Sequence, residues 1–407
     1  MSNKLDLVTL QSAVRGSAAA FRCRRRLQPA GGPGDKVFPP TFAGAVYAVE
    51  QRRVPGRAEP VTCVVLDTAQ AQANGMEEAL QDALDAGRIK IPVLKVDFSQ
   101  WSRNGTEPEE KRLVDDVGVI TSLQVPHRLA DAILRDSQTK EGVKFRDSDK
   151  GKALNTVSQQ NATALYQLCP TALIFGMWDS TGPKGGLGAK FERAMVSEVV
   201  GIGASIQDSH RARGVRRDPL GIRKAVPILK AADKSWTLAE GKTKGADAPS
   251  SVNHGSVPFE SENAGTTIEY AEQLTTISLI VLRRLRFPAE GKVDAERDAA
   301  GRTVLAALGL CAATLAFESG MGLRSRCLLW PEEAMKWELL EKPGQPAREF
   351  SLISDEAVAL LAQAVSAAAD AGLKWEETPI ELIPQPKLVD LVRLSQLEAT
   401  KEDSQES

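Results

Sequence analysis

Four arginines in one short run are the groups in this sequence best suited to bind an anion. The stretch "FRCRRRLQPAGGPGDKVFPPTF" begins at Phe21 and carries arginine at positions 22, 24, 25 and 26. If residues 21–27 form a strand, alternation places Arg22, Arg24 and Arg26 on one face, and Arg25 points inward or sits at a bulge. Guanidinium groups about 6–7 Å apart can make bidentate hydrogen bonds to phosphates. The run predicts a phosphate-binding strand, although an exposed edge strand protected by charge has the same pattern.

A second basic segment is rich in glycine. The stretch "WDSTGPKGGLGAKFERAMVSEVVG" (178–201) runs through Gly182, Gly185, Gly186 and Gly188 and carries Lys184, Lys190 and Arg193. It lacks the GK[ST] ending of a P-loop, and Phe191 stands where a dinucleotide fingerprint needs its third glycine. Backbone without side chains allows close approach to a sugar-phosphate chain. The segment predicts a nucleic-acid contact, with a flexible hairpin connection as the alternative.

Two polar segments could add hydrogen bonds to such a site. "LDTAQAQAN" places Gln70, Gln72 and Asn74 directly after a predicted strand. Side-chain amides can form hydrogen bonds with the base edges or with the backbone of a nucleic acid. The same side chains could equally cap a helix. "VNHGSVP" carries Asn253 and His254 in a polar loop.

Signals for catalysis are weak throughout the sequence. The chain has three histidines and five cysteines, none at a metal or triad spacing, and neither HExxH nor GxSxG occurs. The scattered cysteines, without CxxC, predict reduced core residues of a cytosolic protein. The N-terminus shows no secretory pattern, so a cytoplasmic location is expected.

Charge is unevenly distributed along a chain whose net charge is only −2. Residues 1–60 carry ten Lys and Arg against four Asp and Glu, and residues 180–234 carry eleven against five. Residues 331–407 carry seven against sixteen. Any nucleic-acid surface must therefore come from local clustering of cations.

The hydrophobic pattern indicates an α+β fold. Periodicity predicts helices over 71–89, 125–137, 161–169, 300–319 and 354–373. It predicts strands over 61–67, 91–98, 171–178 and 322–330, with a last edge strand over 378–384. The apolar run 304–317 is too short to span a bilayer and predicts a buried helix.

The elements alternate too loosely for a doubly wound sheet, so we expect one sheet covered by helices on one face. We expect a single domain over 1–395, with a loop-rich insertion projecting at about 205–262. The segment 396–407 is acidic and predicted to be disordered.

Taken together, the motifs resemble a known family. "LQPAGGPGDKVFPPTF", "LDTAQAQANGMEEAL", "WDSTGPKGGLGAKFERAMVSEVVG", "VNHGSVP" and "LRRLRF" occur in this order. They resemble the RAMP-superfamily backbone subunit of type I-G (formerly I-U) CRISPR Cascade over roughly residues 15–390. The resemblance implies a modified RRM-like, ferredoxin-type palm with helical coverage and inserted finger and thumb elements.

The resemblance also implies a function. Copies of such a subunit polymerise along one CRISPR RNA, grip its backbone, and present the guide for pairing with target DNA. The implied partners are CRISPR RNA, the target DNA strand, further copies of the chain and other Cascade subunits, with no membrane, metal, cofactor or catalytic residue. Carried over by motif, the candidate RNA contacts are Arg22, Arg24, Arg25, Arg26, Lys36, Phe38, Thr41, Gln70, Gln72, Asn74, Lys184, Gly185, Gly186, Lys190, Arg193, Asn253 and His254.

Two enzymatic alternatives remain open. A metal-dependent RNA endonuclease of the same superfamily would need an acidic residue, for which Asp67, Asp97, Asp179 and Asp208 are candidates. A repeat-RNA processing enzyme would use a histidine as general acid or base.

Overall fold

The structure is a computed structural model of the chain. It describes residues 3–43, 46–180, 188–206, 212–216, 222, 225–230, 236–239, 243, 245–252, 254, 257–261 and 265–405.

Helices in the described ranges vary from one turn to six turns. In chain order they are α1 (Leu7–Arg15), α2 (Ala69–Asp85), α3 (Ala132–Arg135), α4 (Asp149–Ala153), α5 (Thr163–Leu168), α6 (Thr171–Phe175), α7 (Leu279–Leu282), α8 (Ala295–Phe317), α9 (Ser354–Asp370) and α10 (Pro386–Gln405).

The strands in these ranges are mostly short. In chain order they are β1 (Asn3–Lys4), β2 (Ala20–Pro29), β3 (Lys36–Val37), β4 (Thr41–Phe42), β5 (Val46–Tyr47), β6 (Val49–Arg52), β7 (Val61–Asp67), β8 (Leu94–Asp97), β9 (Val119–Thr121), β10 (Ser137–Gln138), β11 (Met177–Trp178), β12 (Lys190–Phe191), β13 (Met195–Ile202), β14 (Ala212–Arg216), β15 (Ile228–Lys230), β16 (Trp236–Leu238), β17 (Val257–Ser261), β18 (Thr266–Thr267), β19 (Tyr270–Ser278), β20 (Met321–Arg324), β21 (Cys327–Pro331), β22 (Lys336–Leu340), β23 (Arg348–Ser351) and β24 (Ile380–Pro384).

The main sheet has ten strands, and β2 lies near its middle. Its path runs β1-β23-β22-β2-β19-β13-β7-β6, with the hairpin β20–β21 joined to β2 at the Pro29 end. The register aligns Phe21 of β2 with Ile277 of β19 and Met195 of β13. This row fixes which side chains of the three central strands are neighbours.

Helices cover one face of this sheet, which confirms the α+β class predicted from the sequence. α8 is the central helix and packs against α1, α2 and α9. Among the described residues it is the one helix long and apolar enough to cross a membrane, but 83% of its most apolar window is buried inside the protein. A helix that is apolar all round belongs in the middle of a core, as the sequence predicted.

A second, four-stranded sheet in the order β10-β24-β8-β9 was not predicted. In it, β24 pairs with β10 on one side and with β8 on the other. The prediction of a strand over 378–384 is therefore confirmed, but its assignment to a sheet edge is wrong. The partners β8 and β10 come from chain segments more than 200 residues earlier, which local pattern does not reveal.

Most predicted elements occur where the pattern placed them. The segments 61–67, 71–89, 91–98, 161–169, 300–319 and 354–373 correspond to β7, α2, β8, α5, α8 and α9. The stretch 322–330 contains the β20–β21 hairpin rather than one strand, with Arg326 in the turn at φ 58°.

Two local predictions are wrong. The apolar run 171–178 was predicted as a strand, but it forms α6 and then the short β11, with Gly176 at φ 84° between them. Periodicity does not separate a buried strand from a buried helix in so short a run. The predicted helix 125–137 is a 3-10 turn at Arg128–Ala130 followed by α3, because Arg128 adopts φ 51°.

The C-terminal helix continues into the segment predicted to be disordered. α10 extends to Gln405. Gln396 ties it to the preceding fold, since its Oε1 accepts from Val114 N at 2.9 Å and its Nε2 donates to Asp115 O at 2.9 Å. These two bonds anchor α10, and they also satisfy the backbone N–H of Val114 and the backbone carbonyl of Asp115.

All five cysteines are buried and unpaired, which confirms that they are core residues. Burial raises the pKa of Cys23 and of Cys311 to about 12. Their thiolates are therefore scarce at neutral pH, and the thiols are poor nucleophiles.

Candidate nucleic-acid interface

The strand β2 alternates as the sequence predicted. Arg22, Arg24 and Arg26 lie on the face of the sheet away from the helices, whereas Cys23 and Leu27 are buried on the other face. We call the face that carries these three arginines the open face. Their side chains are 35%, 52% and 57% exposed, respectively.

Each arginine of the open face lies beside a glutamate, which the sequence did not predict. The carboxylates come from β19, β22 and the segment after β21. The N–O distances are 2.7 Å for Arg22–Glu338, 3.9 Å for Arg24–Glu272 and 3.3 Å for Arg26–Glu332. Exposed pairs of this kind contribute only about 0–1 kcal/mol each. The guanidinium row is therefore balanced in charge, and its ion pairs contribute little to the stability of the fold.

Arg25 points inward, one of the two orientations predicted for it. Its Nη1 donates to Phe317 O at 2.6 Å and to Gln273 Oε1 at 3.4 Å, and only 4% of the residue is exposed. Burial lowers the pKa of this guanidinium. In this position Arg25 has no surface from which to contact RNA, and it fastens the end of α8 to the sheet instead.

Gln72 is also buried, with 1% of its surface exposed. Its Nε2 donates to Asp67 Oδ2 at 2.7 Å, and its Oε1 accepts from Ser197 Oγ at 2.9 Å and Gln273 Nε2 at 3.0 Å. Asp67 in turn accepts from Arg324 Nη2 at 3.1 Å. The amide joins α2 to β13 and β19, so Gln72 has a structural role in place of the predicted RNA contact. The cap of α2 is the neighbouring Thr68, whose side chain accepts from Ala71 N.

The structure brings two distant motifs together at one end of the sheet. Arg193 Nη2 donates to Gln70 Oε1 at 2.7 Å, although the two residues are 123 positions apart. Gln70 Nε2 donates to Asn74 Oδ1 at 3.3 Å along α2. Lys190 pairs with Trp178 across the β11–β12 hairpin, and its Nζ lies 5.5 Å from the centre of the indole ring. We call this group the hairpin cluster.

A buried ion pair holds the hairpin cluster in place. Arg128 Nε and Nη2 donate to the two carboxylate oxygens of Glu77 at 2.7 Å each, and its Nη1 donates to Gly176 O at 3.1 Å. The side chains are 7% and 3% exposed. Burial raises the pKa of Glu77, and the charge of Arg128 opposes that rise. The bidentate pair links α2 to the first residue before β11, and it fixes the unusual backbone of Arg128.

A third group lies at the other end of β2. Lys36 and Thr41 are exposed, and Phe38 is half-buried. The guanidinium of Arg326 lies over the Phe38 ring, 4.1 Å from its centre. Gly265, at φ 85°, approaches this ring so closely that an added Cβ would lie 2.7 Å from it.

The three groups are arranged along the direction of β2. Lys36 and its neighbours follow the Pro29 end, the open-face arginines lie between, and the hairpin cluster precedes Met195 at the Phe21 end. The ten residues of β2 span about 30 Å, and β13 lies two strands from β2, about 10 Å away. The three groups therefore follow one another along this line, but Gln70 and Asn74 belong to α2, in the helical layer, and not to the open face.

The remaining predicted contacts are not joined to this line by a described contact. His254 packs edge-on against Trp236, with ring centres 5.5 Å apart, beside the separate β15–β16 ladder. Lys184, Gly185, Gly186 and Asn253 lie outside the described residues.

The carboxylates proposed for a nuclease are largely engaged in structural bonds. Asp179 makes a bidentate pair with Arg146 at 2.7 and 3.1 Å, and Asp67 binds Gln72 and Arg324. Asp97 Oδ1 accepts from Ser99 N at 2.8 Å. Asp208 lies outside the described residues, and those that are described contain no group of three or more His, Cys, Asp or Glu able to hold a metal ion.

Sequence reasoning missed the aromatic residues beside these cations. Trp178 is 55% exposed and Trp330 is 60% exposed, and the guanidinium of Arg26 lies 3.9 Å from the centre of the Tyr270 ring. The signal that could have found Trp178 is its position next to a basic, glycine-rich loop.

The motif "LRRLRF" is mainly structural. Arg286 Nη1 donates to Asp298 Oδ2 at 2.6 Å, and Asp298 Oδ1 accepts from Phe287 N at 2.7 Å. Arg283 donates to the carbonyl oxygen of Ala18. Together these bonds join α7 and the following chain to α8 and to the start of β2.

Comparison with known proteins supports one of the sequence predictions. Residues 21–206 match the family described as CRISPR-associated protein GSU0053. This segment contains the open-face arginines and the hairpin cluster. No curated protein matches the chain. The match supports a CRISPR-associated protein with a role in antiviral defence.

Loss of the counter-charge of Arg128 should destabilise the protein. Replacing Glu77 with glutamine leaves the guanidinium charge buried without a counter-charge, and should lower the free energy of unfolding by about 3–5 kcal/mol. Denaturant unfolding followed by circular dichroism measures this change. The neighbouring exposed residue is the matched control, since Glu78→Gln should change stability by less than about 0.5 kcal/mol. Equal effects of the two substitutions would contradict a stabilising role of the pair.

Proposed function

We propose that this chain is a non-catalytic, RNA-binding backbone subunit of a type I CRISPR Cascade complex, of the I-G kind. Copies of it polymerise along the guide RNA and present the guide for pairing with a target DNA strand. The family match over residues 21–206 supports the CRISPR-associated role. The assignment as an RNA-binding backbone subunit is supported by the positions of the cationic side chains on and beside β2.

The observation that carries the proposal is the meeting of Arg193 with Gln70. Two motifs singled out in the sequence, far apart in the chain, share a hydrogen bond of 2.7 Å at the end of the sheet next to the open-face arginines. In order along β2, which spans about 30 Å, come Lys36, the open-face arginines and this meeting point. An extended polynucleotide needs contacts distributed over such a length, whereas a small ligand needs one pocket.

Contacts of this chemistry hold a strand without reading its sequence. Guanidinium, ammonium and backbone N–H groups bind phosphates, which carry no base identity. The base edges of the bound RNA then stay available for pairing, and sequence recognition is left to the guide itself. Binding of this kind is strongly weakened by salt, since each phosphate contact releases condensed counterions.

The glutamates of the open face give the free protein a neutral surface. A phosphate of the RNA must displace these glutamates, so a single arginine–phosphate contact contributes little binding free energy. Binding therefore depends on several such contacts formed together. Repetition of the subunit multiplies those contacts along one RNA, because linked sites bind at high effective concentration. Stacking of identical subunits in a head-to-tail manner gives an open filament, whose length the RNA sets.

The non-catalytic part of the proposal is supported by the engagement of the candidate carboxylates. Asp67 and Asp179 are held in ion pairs with Arg324 and Arg146. A carboxylate that neutralises a guanidinium is a poor ligand for a catalytic magnesium ion. Regularly spaced cleavage of a guide-complementary RNA by the purified protein with magnesium would contradict this part.

Charge reversal on the open face tests whether its arginines bind RNA. The triple substitution of Arg22, Arg24 and Arg26 by glutamate should weaken binding of unrelated single-stranded RNAs equally, by at least about tenfold. It should also reduce the slope of log K against log salt concentration by about 2, since each lost phosphate contact removes about 0.7. Fluorescence anisotropy at several salt concentrations measures both quantities.

A triple variant with the same change in net charge is the control. Arg88, Lys140 and Lys150 are exposed cations away from the open face, each paired with a carboxylate. Their replacement by glutamate should leave affinity and salt slope nearly unchanged. Similar losses in both triple variants would show that net charge, and not the open face, governs binding.

Removal of an open-face carboxylate should have the opposite effect. Glu272 lies directly across from Arg26 on the neighbouring strand and 3.9 Å from Arg24. Glu272→Gln frees the Arg24 guanidinium, while Arg26 keeps Glu332. It also removes a charge that repels phosphate, so RNA affinity should rise about two- to fivefold. Glu381→Gln breaks the exposed pair with Lys140 on the second sheet and should change nothing. Unchanged or weaker binding by Glu272→Gln would contradict carboxylate–phosphate exchange.

A further inference from the structure

The segment from Lys36 to Thr41, which we call the Phe38 segment, is fastened by the β20–β21 hairpin. Phe38 N donates to Arg326 O at 3.2 Å, and the Arg326 guanidinium lies 4.1 Å from the centre of the Phe38 ring. Arg324 Nη1 donates to Phe38 O at 3.2 Å. Lys36 and Thr41, at the two ends of the segment, are exposed. The hairpin therefore holds the backbone between two candidate RNA contacts.

Arg324 also joins the Phe38 segment to a buried polar network. Its second terminal nitrogen, Nη2, donates to Asp67 Oδ1 at 3.1 Å. Asp67 is 6% exposed, and its other carboxylate oxygen accepts from Gln72 Nε2 at 2.7 Å. Gln72 lies in the first turn of α2. A continuous chain of bonds therefore runs from the Phe38 segment to the start of this helix.

The same turn of α2 is bonded to the hairpin cluster. Gln70 lies two residues before Gln72, and its Oε1 accepts from Arg193 Nη2 at 2.7 Å. The first turn of α2 is thus bonded directly to the hairpin cluster and, through Asp67 and Arg324, to the Phe38 segment. Cations from opposite ends of β2 are therefore held relative to one common support.

We propose that Arg324 and Asp67 are positioning residues for RNA binding. The Arg324 guanidinium bonds to the Phe38 carbonyl and to the Asp67 carboxylate at the same time. It thereby presents Lys36 at a fixed distance from the hairpin cluster. The inference rests on the proposed RNA-binding function, and it adds two residues that act through the Phe38 segment.

The chemistry of this pair suits positioning better than stabilisation. An ion pair with a buried partner adds little stability relative to apolar side chains, but the directed bonds of a guanidinium favour one arrangement of the groups that they join. A cation on an unfastened loop must be ordered when RNA binds, and that ordering reduces the affinity. Lysine cannot replace Arg324 in this role, because a single ammonium group lacks the planar fork that reaches both acceptors.

Neutralising Asp67 separates positioning from electrostatic attraction, because the two effects have opposite signs. Asp67→Asn removes a negative charge and leaves every cation in place, so attraction alone should strengthen RNA binding. Loss of positioning should instead weaken binding by about three- to tenfold. Fluorescence anisotropy of a fluorescein-labelled oligouridylate, titrated with the full-length protein, measures the affinity.

A double-mutant cycle identifies the cation that Asp67 positions. Lys36→Ala should lower the affinity by about three- to tenfold. Adding Asp67→Asn to that variant should lower it little further, since the positioned ammonium group is already absent. Hydrogen exchange in the peptide that contains the Phe38 segment should be faster in Asp67→Asn than in the wild type.

Arg324→Lys provides a second route to the same test. It keeps the positive charge and removes the fork, so it should lose affinity as Asp67→Asn does. It also keeps the inference testable if Asp67→Asn does not fold, because its charge and most of its length are retained.

Asp298→Asn is the matched control for loss of a buried carboxylate. Asp298 is 1% exposed, pairs with Arg286 and Arg302, and lies in the first turn of α8. Its substitution should lower the melting temperature but leave the RNA affinity of the folded protein within about twofold of the wild type. Thermal melting of all variants, measured in parallel, shows which of them are folded.

The outcomes separate this inference from the proposed function. Equal or tighter RNA binding by folded Asp67→Asn or Arg324→Lys overturns the inference and leaves the proposed function intact. Losses that add in the double variant show that Asp67 does not act through Lys36, and an equal loss in Asp298→Asn assigns the effect to general destabilisation. Failure of the wild type to bind the oligouridylate removes the proposed function together with the inference.

Discussion

An arginine on a strand in the middle of a sheet must find a partner on whichever face it points to, and β2 carries four of them. Three point to the open face and meet glutamates of neighbouring elements at 2.7 to 3.9 Å. The fourth, Arg25, points under α8 and binds the last carbonyl of that helix. The alternation of β2 therefore both joins the helical layer to the sheet and exposes a row of cations. The proposed RNA binding by this row depends on weak pairing of the carboxylates that balance it.

The hairpin cluster depends on a different constraint, which is a buried charge. Arg128 is 5% exposed and gives its guanidinium to Glu77 and to Gly176 O. Such a pair adds little stability relative to apolar residues, but the loss of one partner is costly. It holds the start of the β11–β12 hairpin at a fixed place against α2. The hairpin, with its exposed Trp178, is thus built on a rigid support.

Local patterns predicted the parts of the fold that are governed by neighbours in sequence. The strand at 61–67, the helix α8 and the alternation at Arg22, Arg24 and Arg26 all follow from spacing alone. The glutamates beside the arginines of β2 could not be predicted, because they come from segments about 250 to 320 positions later that only the pairing of the strands brings close. The same holds for Gln72, which was a candidate RNA contact but whose amide is bound by Asp67, Ser197 and Gln273. Trp178 was classed with a buried strand because its apolar neighbours hid the change from helix to hairpin at Gly176.

Photo-cross-linking tests the central claim most directly. Single-stranded RNA containing 4-thiouridine is bound to the full-length protein, irradiated, and the cross-linked peptides are identified by mass spectrometry. Cross-links are expected on peptides from β2 and its following loop, and on peptides from the β11–β12 hairpin, with few on the helical layer. Cross-links concentrated on α9 or on the second sheet, with none on β2 or the hairpin, would contradict it.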